Sequence, residues 1–290
     1  MLLQVKNLNY FYMPGTPFEF RALNKLNLSI NKGEFIGLIG RTGSGKTTLV
    51  QHFNGLLKPT EGTVIFKGKD IFGTEMINWR EIRQKIGLVF QYPEEQLFGE
   101  TVYEDVAFGP RKLKIEEGIV LEKVKQALSM VNLDFQKVKD RSPFSLSRGE
   151  MRRAAIAGVL SMEPEVLVLD EPTSGLDPRG RKHLLAQVDS FHKEAGMTIV
   201  FVSHNMEEVA RLATRLVVME GGEVVLEGSP GQVFEESEKL LAMGLGVPQV
   251  TELMLALKKQ GEKVQTDIFT VDKARQEILK MLKEKRGQLC

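Results

Sequence analysis

The stretch "GRTGSGKT", Gly40 to Thr47, constrains this chain more than any other, because it follows the apolar run "FIGLI" and precedes the helical "TTLVQHFNGLL". Glycine, four residues, then Gly-Lys-Thr is the P-loop pattern, which requires a strand in front and a helix behind. Its glycines let the backbone curl closely round phosphate oxygens, and successive N–H groups with the helix start stabilise their charge. Lys46 would reach the β- and γ-phosphates, and Thr47 would give an oxygen to Mg²⁺. A chance glycine-rich turn needs no such flanks.

"VLVLDE", Val166 to Glu171, supplies the matching half. Its apolar residues read as a strand buried in a sheet, with two acids at the C-terminal edge. Asp170 would hold Mg²⁺ directly or through water, and Glu171 would orient and deprotonate the attacking water. Adjacent acids at a strand end can also cap the next helix; the P-loop upstream favours phosphoryl transfer. The second carboxylate separates a chain that hydrolyses its nucleotide from one that passes phosphate to a substrate.

Short runs rich in Val, Ile and Leu alternate with helical segments to about residue 226, the pattern of an α/β sheet. "EFIGLIG", "KIGLVF", "EVLVLD", "MTIVFVS" and "RLVVME" are the expected buried strands. Between Gln91 and Ser161 charged helices replace them, with "VLEKVKQALSMVNL" apolar at helical spacing, so this block reads as an insertion. "GGEVVLEGSP" reads as a hairpin strand leaving the domain, and from Val233 the chain turns helical and charged. The expected divisions are 1–228 for one domain, about 92–162 for its helical subdomain, and 229–290 for a C-terminal helical extension.

Lys and Arg number 39 against 38 Asp and Glu, so a charge of +1 creates no global field toward nucleic acid or an anionic membrane. Runs such as "TIVFV" fall far short of the roughly 20 residues of a membrane span, and the first residues lack a signal-peptide layout. A soluble or peripheral chain is expected, not a pore. The single cysteine, Cys290, can make no internal disulfide or cysteine metal cluster, which fits a reducing compartment.

"PFSLSRGEMRRAAIAGVL", Pro143 to Leu160, opens what reads as a long helix with Ser147, Arg148 and Gly149. Such a start can bind an anion through its unpaired N–H groups and the helix dipole. It can equally be an ordinary cap, Ser147 with Glu150 at the capping-box position.

In chain order, Gly40–Thr47, Gln91 after "IGLVF", "LSRGE" at 146–150, Val166–Glu171, "SGLD" at 174–177 and His204 after "TIVFVS" resemble the P-loop, Q-loop, signature, Walker B, D-loop and H-loop of the ATP-binding-cassette ATPases. The resemblance covers roughly residues 1 to 228. It implies an α/β P-loop NTPase cassette with a mixed sheet core, a helical subdomain insertion and a C-terminal helical extension. It also implies two cassettes that close head to tail, each signature completing the other's phosphate site. Ser147 and the N–H of Gly149, flanked by Arg148 and Glu150, would then contact ATP held by the partner. ATP in this chain's own loop would meet Gly40, Arg41, Thr42, Gly43, Ser44, Gly45, Lys46, Thr47 and Thr48, with Tyr12 under adenine and Tyr10 on the same strand face. Thr47, Gln91 and Asp170 would hold Mg²⁺. Glu171, His204 and Gln91 would be the catalytic set, and Asp177 belongs to the D-loop. Arg148 departs from the family, which usually has Gly there, and Glu150 stands where Gln is common. A bulky cation near the closing interface leads us to expect one of two unequal sites in a heterodimer.

"FQYPEEQLFGETVYEDVAFGP", Phe90 to Pro110, resembles the extended Q-loop region of the energy-coupling-factor transporter ATPases at Gln91, Pro93, Gln96-Leu97-Phe98, Thr101-Val102, Asp105-Val106 and Phe108-Gly109-Pro110. That group powers uptake of vitamins and of cobalt or nickel ions. "PEEQLF" reads as a Pro-fixed turn with an exposed Leu-Phe pair that could receive a helix, or as core of the insertion. The resemblance implies an ATP-hydrolysing subunit that energises such an importer from the cytoplasmic face of the cell membrane. Its implied partners are a second cassette (heterodimer favoured, homodimer possible), a transmembrane coupling subunit docking near Gln91–Phe98, and a separate substrate-binding membrane subunit, with no nucleic acid. The alternative is a transporter ATPase outside this group. A P-loop kinase would need neither the signature nor Glu171. The tail "ARQEILKMLKEKRG" places Ala274, Ile278, Met281 and Leu282 on one stripe, to pack on its own domain or on the partner cassette.

Overall fold

Strand formation follows the apolar runs closely. The computed structural model describes residues 1–73 and 77–288, so Cys290 lies outside the described residues. Among them the strands are β1 (Leu3–Tyr12), β2 (Phe20–Ile30), β3 (Phe35–Ile39), β4 (Glu61–Phe66), β5 (Lys69–Asp70), β6 (Ile86–Val89), β7 (Val166–Asp170), β8 (Thr198–Val202), β9 (Arg215–Glu220) and β10 (Glu223–Gly228). The five expected buried strands are β3, β6, β7, β8 and β9. β3, β6, β7 and β8 are buried at every position, which is why they read as continuous apolar runs and not as alternation.

These strands form one sheet in the order β10-β9-β3-β8-β7-β6, parallel except where β10 returns antiparallel along β9. A second, antiparallel sheet runs β2-β1-β4-β5. In the first sheet Leu38 of β3 pairs with Val202 of β8, and Val202 pairs with Asp170 of β7. The carboxyl ends of three strands therefore finish side by side, and the loops that leave them share one edge, the usual ligand edge of an open α/β sheet.

The block between β6 and β7 is helical: Val102–Lys112, Glu117–Met130, Phe135–Val138 and Arg148–Leu160, entered through a 3₁₀ turn at Pro93–Gln96. Val120, Val124, Ala127 and Leu128 of the second helix are buried at helical spacing. The expected exposed Leu-Phe pair is corrected here, because Leu97 is only 7% exposed whereas Phe98 is 62% exposed. Leu97 has extended backbone angles, so neighbouring side chains point to opposite sides: Leu97 joins the core, and Phe98 faces out with its ring edge on Phe108.

After β10 the chain is helical at Pro230–Glu235, Ser237–Ala242, Gln249–Lys259 and Val271–Gln288. Val233, Phe234, Leu240, Met243 and Leu245 join the main core, whereas Met254, Ile268 and Ala274 make a small cluster with Ile278 against it. Of the tail stripe, Ala274 and Ile278 thus pack on their own chain, while Leu282 is 46% exposed.

Gly37 in β3 carries helix Met206–Leu212 and strand β9 close overhead. A Cβ there would lie 2.6 Å from Leu216 Cδ2 and 3.1 Å from Val209 Cβ. Gly37→Val is expected to destabilise the chain by about 1–3 kcal/mol through overpacking, read as a lower urea midpoint at unchanged m-value.

Candidate functional site

β3 ends at Ile39 and the loop 40–45 turns directly into helix Lys46–Phe53. Two glycines make that turn possible. A Cβ on Gly40 would lie 2.3 Å from the Met219 carbonyl oxygen, and one on Gly45, at φ +99°, 2.6 Å from the Ala22 carbonyl oxygen. Inside the loop the Lys46 ammonium donates to the carbonyls of Gly40 (2.7 Å) and Arg41 (2.9 Å) and to Ser44 Oγ (3.3 Å). Burial lowers the pKa of Lys46, opposed by the charges of Glu171 and Asp170.

The Thr47 hydroxyl donates to Asp170 Oδ2 at 2.8 Å, joining the loop helix to the end of β7. Asp170 is buried, and burial raises its pKa; the Thr47 bond works against this and the charge of Glu171 adds to it. Glu171 then turns with φ +46°, in the left-handed region that few side chains adopt, while its N–H donates to the Val202 carbonyl at 2.9 Å. His204, just beyond β8, brings Nδ1 within 3.1 Å of Glu171 Oε2. Gln91 follows β6 by two residues. A cavity of about 360 Å³ is lined by Tyr12, Thr42, Gly43, Gly45, Lys46, Thr47, Thr48, Gln91, Asp170 and Glu171 among others, and His204 reaches it only through Glu171.

Tyr12 stands at the cavity mouth and is held from two sides. Its hydroxyl lies 3.1 Å from Thr48 Oγ1, and its ring meets Tyr10 edge-on with centroids 4.9 Å apart. Tyr10 in turn packs edge-on against His52 at 4.8 Å. His52 is fully buried, its pKa pushed down to about 4 by burial, so the neutral ring donates Nδ1–H to the Thr48 carbonyl at 2.7 Å. This brace was not legible in sequence, because nothing in "VQHF" marks His52 as a support for a residue 40 positions away.

The signature residues do not line this cavity. Ser147 caps helix Arg148–Leu160 in a full capping box with Glu150, and Asp177 caps helix Pro178–Lys193 by accepting from the Gly180 N–H at 2.8 Å. Arg148 turns back on its own chain: Nε donates to Glu94 Oε1 at 3.1 Å, and the guanidinium lies 6.0 Å from the Tyr92 ring centre. Arg152, 1% exposed, forks onto both oxygens of Glu94 (2.9 and 2.8 Å) and donates to the carbonyls of Pro172 (2.9 Å) and Ser174 (2.7 Å). Burial alone would push Glu94 up, but the bonds from Arg152 and Arg148 prevail and hold its carboxyl below the usual value. A Glu and an Arg separated by 58 positions gave no sequence signal for this pair.

Residues 23–174 match the family model for ABC transporters. Over 285 residues, covering 98% of this chain and 99% of the relative, the chain is 52% identical to the energy-coupling factor transporter ATP-binding protein EcfA2 of Clostridium tetani (strain Massachusetts / E88). It is likewise 52% identical over 283 residues to the protein of that name from Clostridium perfringens (strain 13 / Type A), covering 98% of this chain and 99% of that one. Among solved structures, cbiO1 from Clostridium perfringens, described as part of the ABC transporter complex cbiONQ, superposes with a TM-score of 0.72 at 40% identity, over 87% of this chain and 98% of that one. A dimeric ATP-binding cassette in a post-hydrolysis state bound to ADP and Pi gives 0.70 at 28% identity, over 79% and 99%.

The folded chain binds the Asp170 proton more tightly than the unfolded chain does, so ionisation of this group subtracts stability as pH rises through the carboxylate range. Asp170→Asn is therefore expected to raise the melting midpoint at neutral pH by a few degrees, a gain that fades near pH 4, while ATP turnover falls by about a hundredfold or more. Calorimetry at two pH values beside a phosphate-release assay checks both.

Proposed function

The chain belongs to the ABC transporter family, among the ATP-binding proteins of energy-coupling-factor transporters, and from that premise we propose that it binds and hydrolyses ATP to drive import of a vitamin or a transition-metal ion. The observation that carries this is the meeting of Lys46, Thr47, Asp170, Glu171 and Gln91 at one cavity, with His204 on Glu171. We place the nucleotide-binding domain at 1–228, with its helical subdomain at about 92–162, and the extension at 229–290.

The loop 40–48 would wrap the triphosphate, its N–H groups and the dipole of helix Lys46–Phe53 facing the phosphates. Lys46 would exchange the Gly40 and Arg41 carbonyls for β- and γ-phosphate oxygens, whose charge would favour the ammonium that burial disfavours. Tyr12, fixed by Thr48 and Tyr10, would stack on adenine. Thr47, Gln91 and Asp170 offer hydroxyl, amide and carboxylate oxygens, a hard donor set that suits Mg²⁺. When bound, the ion would neutralise phosphate charge. Glu171 would take the proton of the attacking water, and His204 would orient Glu171 and hold the γ-phosphate.

Ser147 and Gly149, which do not line the chain's own cavity, would complete the site of a second cassette. A groove of about 440 Å³ beside the Q-loop, lined by Leu97, Phe98, Phe108, Gly109, Ala155 and Gly158 under a rim of Arg80, Arg83 and Lys112, would receive a helix of the transmembrane coupling subunit. Among the described residues no helix is long and apolar enough to cross a membrane. By its likeness to energy-coupling factor transporter ATP-binding proteins, the chain would sit peripherally at the cytoplasmic face, and a separate membrane subunit would choose the cargo.

In the pair assembled with its partner cassette, Glu171→Gln is expected to slow this chain's own site by about a thousandfold, leaving the pair no more than the partner site's share of turnover, yet retain ATP and a stable pair on size exclusion; wild-type turnover in that variant defeats the assignment. Tyr12→Ala is expected to weaken nucleotide binding by about tenfold, measured by titration calorimetry. Phe98→Asp is expected to abolish co-purification with the coupling subunit while the melting curve stays in place.

A further inference from the structure

We propose that the turn Met243-Gly244-Leu245 of the C-terminal extension is a positioning element of the phosphate loop: it seats the Arg41 side chain and thereby sets how tightly the loop holds ATP. This rests on the reading of residues 40–48 as the ATP loop and gives the extension a part in it.

Helix Ser237–Ala242 ends on Met243, after which Gly244 takes φ +68°. The Gly244 N–H donates to the Leu241 carbonyl at 2.9 Å and the Leu245 N–H to the Leu240 carbonyl at 2.8 Å, the paired bonds of a Schellman ending, which asks for a left-handed residue at this point. Leu240, Met243 and Leu245 are buried in the main core, so the turn is anchored on both sides of its glycine. The Arg41 side chain lies on that glycine. A Cβ at Gly244 would come within 3.1 Å of Arg41 Cζ and Nε and 3.3 Å of Cδ, closer than an ordinary side-chain contact. Gly261 ends helix Gln249–Lys259 in the same manner, with φ +90° and its N–H on the Lys258 carbonyl at 3.0 Å, yet nothing lies within 4 Å of its Cβ position. The left-handed turn accounts for both glycines; of the two, Gly244 alone must also be bare to receive a neighbour.

Residue 41 is the hub of the resting loop. Its carbonyl accepts from the Lys46 ammonium at 2.9 Å and from the Ser44 N–H at 3.1 Å, so where it sits decides where both groups wait for a phosphate. The Ser44 carbonyl in turn accepts from the Gly222 N–H at 3.2 Å, which ties the loop to the turn between β9 and β10. A cavity of about 130 Å³ lies against the loop, lined by Arg41, Ser44, Met219, Met243 and Leu245 among others. The loop is therefore not packed solid on that side, and a displaced Arg41 would leave it room to shift. A loop held in its bound shape loses less freedom when the ligand arrives and so binds more tightly. Glu171 and His204 follow other strands, β7 and β8, so this support acts on affinity and not on the hydrolytic step.

The test titrates the full chain with Mg·ATP in a calorimeter. Gly244→Asn keeps the left-handed turn, which asparagine also adopts, but fills the place of Arg41, and is expected to weaken binding by about fivefold or more. Gly261→Asn makes the same exchange in the matching turn and is expected to bind as wild type, so it reports any general cost of altering a helix ending. Arg41→Ala is expected to weaken binding by a similar factor, and Gly244→Asn added to it to cost nothing further, because both remove one contact. In the assembled pair, Gly244→Asn is expected to slow turnover at low ATP and to leave it unchanged at saturating ATP. Wild-type affinity in Gly244→Asn, equal weakening by Gly261→Asn, or additive losses in the double variant overturns the proposal. If Gly244→Asn does not fold, wild-type affinity in Arg41→Ala, where the side chain is exposed, overturns it alone. A wild-type chain that binds no ATP overturns the reading of the loop and this proposal together, whereas tight binding indifferent to residue 244 overturns the positioning role only.

Discussion

The parallel register of β3, β8 and β7 is the constraint on which everything else depends. Leu38, Val202 and Asp170 lie level across three strands, so the P-loop, the acidic pair and His204 leave the sheet at one edge and need no long side chain to meet. The Thr47–Asp170 bond and the Glu171 N–H to Val202 fasten that edge with a side-chain and a backbone link. A one-residue slip of β7 would send Asp170 to the other face of the sheet and separate it from Thr47.

The loop that continues from Glu171 is gripped from both sides. Arg152 takes the carbonyls of Pro172 and Ser174, while Thr173 donates its hydroxyl to the buried Glu208, which also accepts from Ser203 beside His204. Burial raises the pKa of Glu208, and the bonds from Thr173 and Ser203 counter it. Such groups contribute little net stability compared with an apolar filling, but they fix the loop in one geometry. Through Glu94, Arg152 also reaches the turn Pro93–Gln96 at the groove, so one buried guanidinium joins the groove, the signature helix and the loop that carries Glu171.

Motifs whose chemistry is local were legible in the chain. The P-loop announced itself because a phosphate cradle needs glycines, a lysine and a helix start in immediate succession. Buried strands showed as unbroken apolar runs, and Ser147 with Glu150 showed the capping box that the structure contains. Long-range contacts left no such trace. The Glu94–Arg152 fork, the Tyr12–Thr48 bond and the support of His52 join positions far apart, and each residue type is ordinary where it stands. The Leu97-Phe98 pair was half legible: both are apolar, and only the extended backbone at Leu97 decides which one faces outward.

By itself, the sequence determined the α/β alternation, the phosphate loop, the acid pair and the presence of a signature, because each rests on spacing within a few residues and on the chemistry of those side chains. The tertiary structure alone decided where charges end: that Arg148 turns to Glu94 and that the Ser147 hydroxyl serves Glu150. The physical reason is that a side chain's partner is set by burial and distance across the fold, whereas a motif records only which groups are available.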